Sequence, residues 1–170
     1  MKVIKSTIPD TSLTNQYLPV NYCDVFTCEV SSDKSISPDD ILISFWTDMP
    51  GWVEILFSIR NFLVKLVGLK GSKERDVEAF ENCIRNGGEH GFISVPCKNE
   101  NETVMVLTDE HLNAYLSAHI DYKNDKKIIS VITLVKFNKK LGHVYFFFIK
   151  PFHKVIVSEM LKRMLRRKGF

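Results

Sequence analysis

The sequence predicts an α+β domain: an antiparallel sheet with a long C-terminal helix laid across one face. Three observations lead there. From Phe92 onward, five stretches of alternating or apolar residues follow one another with short polar turns: GFISVPC, ETVMVLTD, HLNAYLSAHIDY, KKIISVITLVKF and LGHVYFFFIK. Consecutive hairpins of this kind favour an antiparallel sheet. The last segment, PFHKVIVSEMLKRMLRRK, is apolar along Phe152, Val155, Ile156, Met160 and Met164, as a helix that covers a sheet must be. The 170 residues are 45% hydrophobic and 25% charged, enough for one domain, 1–170, with a substantial core.

In chain order, residues 1–23 read as irregular, punctuated by Pro9 and Pro19, and DVFTCEVS from Asp24 reads as a short strand. A helix start follows at SSDKSISPDDI. Ser37 suits the N-cap, Pro38 the first helical position, and Asp39 and Asp40 the positive end of the helix dipole. Ile36 and Ile41 have the spacing of a hydrophobic staple. Pro50 opens a second helix ending near Gly68. A third begins at Ser72, shows one face through Val77, Phe80, Cys83 and Ile84, and stops at Gly87-Gly88.

Composition excludes some classes. A net charge of +3 implies no strong polyanion partner, so nucleic acid is not expected; the cations of KRMLRRK suit the negative end of a helix, the alternative being contact with acidic lipid or nucleic acid. The four cysteines form no C-x-x-C pair and read as reduced thiols in a cytoplasmic protein. MKVIKSTIPD does not read as a secretory signal. No metal site, phosphate loop or dinucleotide fingerprint is visible, so no cofactor is expected.

The stretch PGWVEILFSIRNFLVKLVGLKG, 50–71, is nearly apolar enough to cross a membrane, but Glu54, Arg60 and Lys65 argue against a transmembrane segment. On a helix, Glu54, Ser58, Asn61 and Lys65 share one wet stripe, and Arg60 lies roughly 140° away among Val53, Leu56, Val64 and Val67. A guanidinium on an apolar face needs a partner. Arg60 either pairs with an internal carboxylate (Asp24, Asp48 or Asp121), anchors a ligand carboxylate or phosphate, or reaches the rim.

On HLNAYLSAHIDY, Leu112, Ala114, Leu116, Ala118, Ile120 and Tyr122 mark the core face, and the alanines leave room for a cavity. His111, Asn113, Tyr115, Ser117, His119 and Asp121 mark the other, either a solvated face or a polar lining with His119 or Tyr115 as acid or base. In GHVYFFFIK both faces are apolar. The second needs cover from the third helix and N-terminal segment, or from a second copy in a homodimer formed around Tyr145 and Phe147. His153 is either a core histidine or a polar group at a cavity mouth.

Four segments carry a family resemblance: YCDVF (22–26), MPGWVEILFSIRNFLVKLVGLKG (49–71), LTDEHLNAYLSA (107–118) and GHVYFFFIKPFHKVIV (142–157). Together they resemble a bacterial family of uncharacterised domains within the START and polyketide-cyclase superfamily of helix-grip folds. The third segment departs from the pattern at Asn113 and at Leu116 or its neighbours, where an Asp and an Arg are expected. The resemblance implies a helix-grip fold with a cavity between sheet and C-terminal helix, and no established activity. The expected function is binding of a small apolar or amphipathic molecule there. Arg60 and His153 would give polar contacts, and Trp46, Trp52, Tyr115 and Phe152 would line the site. The alternatives are a cyclase-, hydratase- or hydrolase-type enzyme using His119, His143 or His153, and a dimeric interaction protein with a packed interior.

Overall fold

Strand pairing sets the architecture, seen in a computed structural model that describes residues 2–31, 34–55 and 76–170, with Tyr145 described by its backbone alone. The strands are β1 Val3–Lys5, β2 Tyr22–Val30, β3 Gly88–His90, β4 Ile93–Lys98, β5 Glu102–Thr108, β6 Leu112–Lys123 and β7 Lys126–Phe137. They form one seven-stranded sheet in the order β1-β2-β7-β6-β5-β4-β3, with every neighbouring pair antiparallel. β6 and β7 are 12 residues each. Their two-residue turn puts Asn124 and Asp125 at φ 51° and 59°, a left-handed conformation that Asn and Asp tolerate and that matches the twist of a hairpin. β2 has no hairpin partner on the site side. It reaches across the chain to β7, with Val25 opposite Ile132.

The helices α1 Pro38–Thr47, α2 Val77–Asn86 and α3 Lys140–Arg167 accompany the sheet. α1 begins as the sequence predicts. Asp40 N–H donates to Ser37 Oγ at 3.1 Å, and Ser37 N–H donates to Asp40 Oδ2 at 3.2 Å, a reciprocal capping box with Pro38 at the first turn. α2 starts at Val77 rather than Ser72, because Asp76 supplies the cap by accepting from Ala79 N–H. It ends where Gly87 takes φ 74°. Residues 51–55 are helical. The remainder of the helix expected over 50–68, Arg60 included, lies outside the described residues.

Alternation then sorts the sheet into two faces. Phe26, Cys28, Val30, Met105, Ala118, Ile120, Ile129 and Val131 face the helices. Opposite them lie Ile41, Leu42 and Phe45 of α1, Phe80 and Ile84 of α2, and Val157, Leu161 and Leu165 of α3. Each large side chain removed from water there contributes roughly 1.5–3 kcal/mol. The other face is also covered. Residues 6–21 run over it as a strap, and Ile8, Tyr17 and Val20 pack on Val25, Ile132 and Leu134. The segment read as irregular therefore contains β1 and a 3-10 turn, Leu13–Tyr17, capped by Ser12.

One expectation is overturned. GHVYFFFIK is not a strand: it is the first third of α3, so Tyr145 and Phe147 sit on a helix. Aromatic runs favour strands, but the sheet's edges are already taken by β1 and β3. At 100° per residue Phe146 falls on the same stripe as Val157, Leu161 and Met164, so one continuous helix buries all four. Pro151 lies inside it. The loss of one backbone hydrogen bond there is outweighed by this packing.

Candidate functional site at Asp24 and His153

The period of β2 builds the site. Tyr22, Asp24, Phe26 and Cys28 fall on one face, so an aspartate stands in the apolar layer under the helices, with Thr133 opposite it on β7. α3 adds Phe146 and His153, seven residues apart on its inner side. Asp24 is 2% exposed. Tyr22 Oη donates to its Oδ2 at 2.5 Å. Its Oδ1 lies 3.5 Å from His153 Nε2, too far for a good hydrogen bond, and it has no hydrogen-bond partner among the described residues. His153 Nε2 sits 3.2 Å from Thr133 Oγ1. Aromatic rings wall the group on one side: Tyr22 and Phe146 have centroids 4.6 Å apart, and Phe137 and Phe146 5.6 Å. Lys150 Nζ stands 5.3 Å from the Tyr22 ring, within cation–π range.

Burial alone would push the Asp24 carboxyl up. The His153 ring, with the Tyr22 and Thr133 hydroxyls, outweighs that and holds it below the usual carboxylate range. Burial and the adjacent carboxylate push the Tyr22 phenol far up, so it remains a donor at neutral pH. The group is thus a fixed anion with one donor satisfied, one oxygen open, and a partly exposed imidazole alongside. It can accept a hydrogen bond from a bound hydroxyl or amine.

The residues picked from sequence are dispersed. Among those the structure describes, His153 alone belongs to this group. Trp46 stacks on Phe80 at 5.5 Å, under α2. Trp52 lines an open cleft with Pro50 and the basic end of α3. Tyr115 stacks on Tyr17 at 4.3 Å, on the strap side of the sheet. Phe152 points away from the sheet, on the exposed face of α3. Ala118 is fully buried within the helix-side core. The two clefts described both open at the surface. Of the acids considered for Arg60, Asp24 neighbours His153, Asp48 pairs with Arg167 at 2.6 Å, and Asp121 is exposed.

The row of polar groups on β6 is not solvated at its centre. Ser117 and His119 are buried, and Glu102 lies beside them at 1% exposure. Ser12 Oγ donates to Glu102 Oε1 at 2.8 Å, Leu13 N–H donates to Oε2 at 2.6 Å, and Ser117 Oγ donates to Oε1. This carboxylate clasps the strap to the sheet. His119 Nε2 sits 3.3 Å from Thr11 Oγ1, also on the strap. The four cysteines form no disulfide, and burial raises the thiols of Cys23, Cys28 and Cys83, which makes them poor nucleophiles. No cluster fit for a metal ion occurs among the described residues.

Sequence reading missed Tyr22 and Thr133 and saw Asp24 only as a partner for Arg60. The signal was there: on YCDVFTC the even positions are Tyr22, Asp24, Phe26 and Cys28, an acid in an otherwise apolar row.

No curated protein matches the chain. The crystal structure of CalU16 from Micromonospora echinospora is similar at 12% identity, covering 86% of this chain and 83% of that one, with a TM-score of 0.30. The order of elements, with helices between β2 and β3 and a long helix after β7, is that of a helix-grip-like α+β fold. A family model described as "Protein of unknown function (DUF2867)" matches residues 17–160, most of the chain, and the protein belongs to that family.

Proposed function

We propose that the protein binds a small amphipathic molecule between the sheet and α3, with an apolar body against Tyr22, Phe137 and Phe146 and a hydroxyl or amino group on Asp24. The observation that carries this reading is the open Oδ1 of Asp24. A buried carboxylate oxygen without a donor costs about 1–3 kcal/mol or more. A ligand donor would recover that energy. The sequence resemblance to the START and polyketide-cyclase superfamily points the same way, toward a ligand held under the C-terminal helix. Arg60, outside the described residues, remains a proposed second polar contact. Four unpaired cysteines favour a reducing compartment such as the cytoplasm.

A second reading, an acid–base enzyme of cyclase, hydratase or hydrolase type, is favoured by one observation: His153 has a buried carboxylate at 3.5 Å. Such a pair can shuttle a proton if a substrate reaches the ring.

Native mass spectrometry of gently purified protein tests the first reading. The expected result is an additional mass that denaturation removes and that Asp24→Asn reduces about tenfold or more in occupancy, the equivalent of losing one charged hydrogen bond. An additional mass retained equally by Asp24→Asn and His153→Ala, both folded, would overturn this site. No additional mass, with no thermal shift from a panel of fatty alcohols and amines, would overturn the binding function.

A further inference from the structure

The outer side of α3 carries a second feature that the Asp24 site does not use. At 100° per residue, Val144, Phe147, Phe148, Phe152 and Val155 fall within an arc of roughly 140°, on the side away from Phe146, Val157 and Leu161. All five are exposed, Phe147 by 74% and Phe148 by 60%. Exposed aromatic side chains in one contiguous stripe are uncommon on a surface that meets only water.

The same face changes character further along the helix. Beyond Ser158 it presents Lys162, Arg163 and Arg166. With Arg167, Glu159, Pro50 and Trp52 they line an open cleft of about 410 Å³. Acids are scarce there. Glu159 is held by Lys162 at 2.6 Å, and Arg167 is held by Asp48 at 2.6 Å. Among the described residues no carboxylate pairs with Arg163 or Arg166. Trp52 stands exposed at the rim.

We propose that this face of α3 docks on an anionic lipid bilayer, the aromatic half entering the headgroup–acyl boundary and the basic end pairing with lipid phosphates. The two halves call for one surface that is apolar and negatively charged together, as the interface of an acidic membrane is. Trp52, exposed beside the basic residues, is of the type that such an interface favours. A second copy on the same face fits less well, since it would bring a cationic end with one, already paired, acid against either another cationic end or a desolvated aromatic stripe. The mode is in-plane: no helix among the described residues is long and apolar enough to cross a membrane.

Vesicle co-sedimentation of the full chain tests this. The probes are phosphatidylcholine vesicles and phosphatidylcholine vesicles mixed with phosphatidylglycerol. Binding is expected to the mixed vesicles, to weaken as salt is raised, and to shift the Trp fluorescence to the blue. Each cation near the surface contributes roughly fivefold in partitioning, so Arg163→Ala with Arg166→Ala should lower it roughly thirtyfold. Phe147→Ser with Phe148→Ser should lower it roughly tenfold or more. Both pairs are exposed, so circular dichroism should show wild-type folding. Failure to bind either vesicle overturns the proposal, as does binding that the aromatic double variant leaves unchanged. A concentration-dependent dimer broken by Phe147→Ser, without vesicle binding, would assign the face to a second copy instead and would also overturn it.

Discussion

Replacing Glu102 by Gln alters one buried group and little else, and the hydrogen bonds around it fix what should follow. Three donors converge on the carboxylate: Ser12 Oγ at 2.8 Å, Leu13 N–H at 2.6 Å, and Ser117 Oγ. A glutamine of the same shape keeps one oxygen, which can serve the two hydroxyls at Oε1. Its amide nitrogen then faces the Leu13 N–H, donor against donor. The variant therefore loses one charge-assisted hydrogen bond, about 2 kcal/mol, and leaves a buried donor unmatched, about 1–3 kcal/mol more. The sum is about 3–5 kcal/mol. With a urea m-value of about 2 kcal/mol/M, the unfolding midpoint should fall by about 1.5–2.5 M. The loss should be local as well as global. Hydrogen exchange at the Leu13 amide should accelerate ahead of amides in β6 and β7, because the strap is released first. A midpoint within about 0.3 M of wild type, with unchanged protection at Leu13, would refute the view that this carboxylate fastens the strap.

Two further outcomes follow from the geometry. Asp24 has a folded-state pKa below its ordinary 3.8, so its contribution to stability is complete above that value and is lost as pH falls through the lower folded-state value. Wild type should therefore lose stability as the medium is acidified below about pH 4, and Asp24→Asn should flatten that part of the curve in pH-dependent urea unfolding; an unchanged slope would remove the Asp24 contacts with His153, Tyr22 and Thr133 from the account. At Gly142 an added Cβ would stand 2.5 Å from the His111 carbonyl oxygen and 3.3 Å from the Phe137 ring. That oxygen is fixed by N–H donors from Asn138 and Lys139, so Gly142→Ala should lower stability by about 1–3 kcal/mol in thermal unfolding, and a neutral result would show that the start of α3 can shift freely.

Local rules made much of the fold legible. Ser37, Pro38 and Asp40 announce α1 because capping is settled within four residues. Period-two patterns in 102–137 announce β5, β6 and β7 because each strand carries its own alternation. The aromatic run at 144–148 misled because strand propensity is weak against packing, and the inward stripe that makes it helical continues on the far side of Pro151. The strap was unreadable for another reason. Ser12 and Glu102 are far apart in sequence, and no spacing rule connects them. The candidate site lies between these cases. His153 drew attention from sequence, but its partner Asp24 required the β2–β7 register and the path of α3.

The turn at Asn124 and Asp125 bears on how the chain acquires this site. It joins β6 and β7 into a hairpin whose contacts are local, so the hairpin can form early, within microseconds of collapse. β2 can add only by closing a loop of about a hundred residues, an entropic toll that local structure does not share. Asp24, already beside Tyr22 and Thr133, then waits for His153, made later still on the ribosome, to complete its set of neighbours. A nascent or truncated chain that ends before α3 would keep a serviceable hairpin and a carboxylate without the histidine or the helix that covers it. Arrival of α3 thus acts as a checkpoint: the polar centre is assembled only in a chain that already includes that helix.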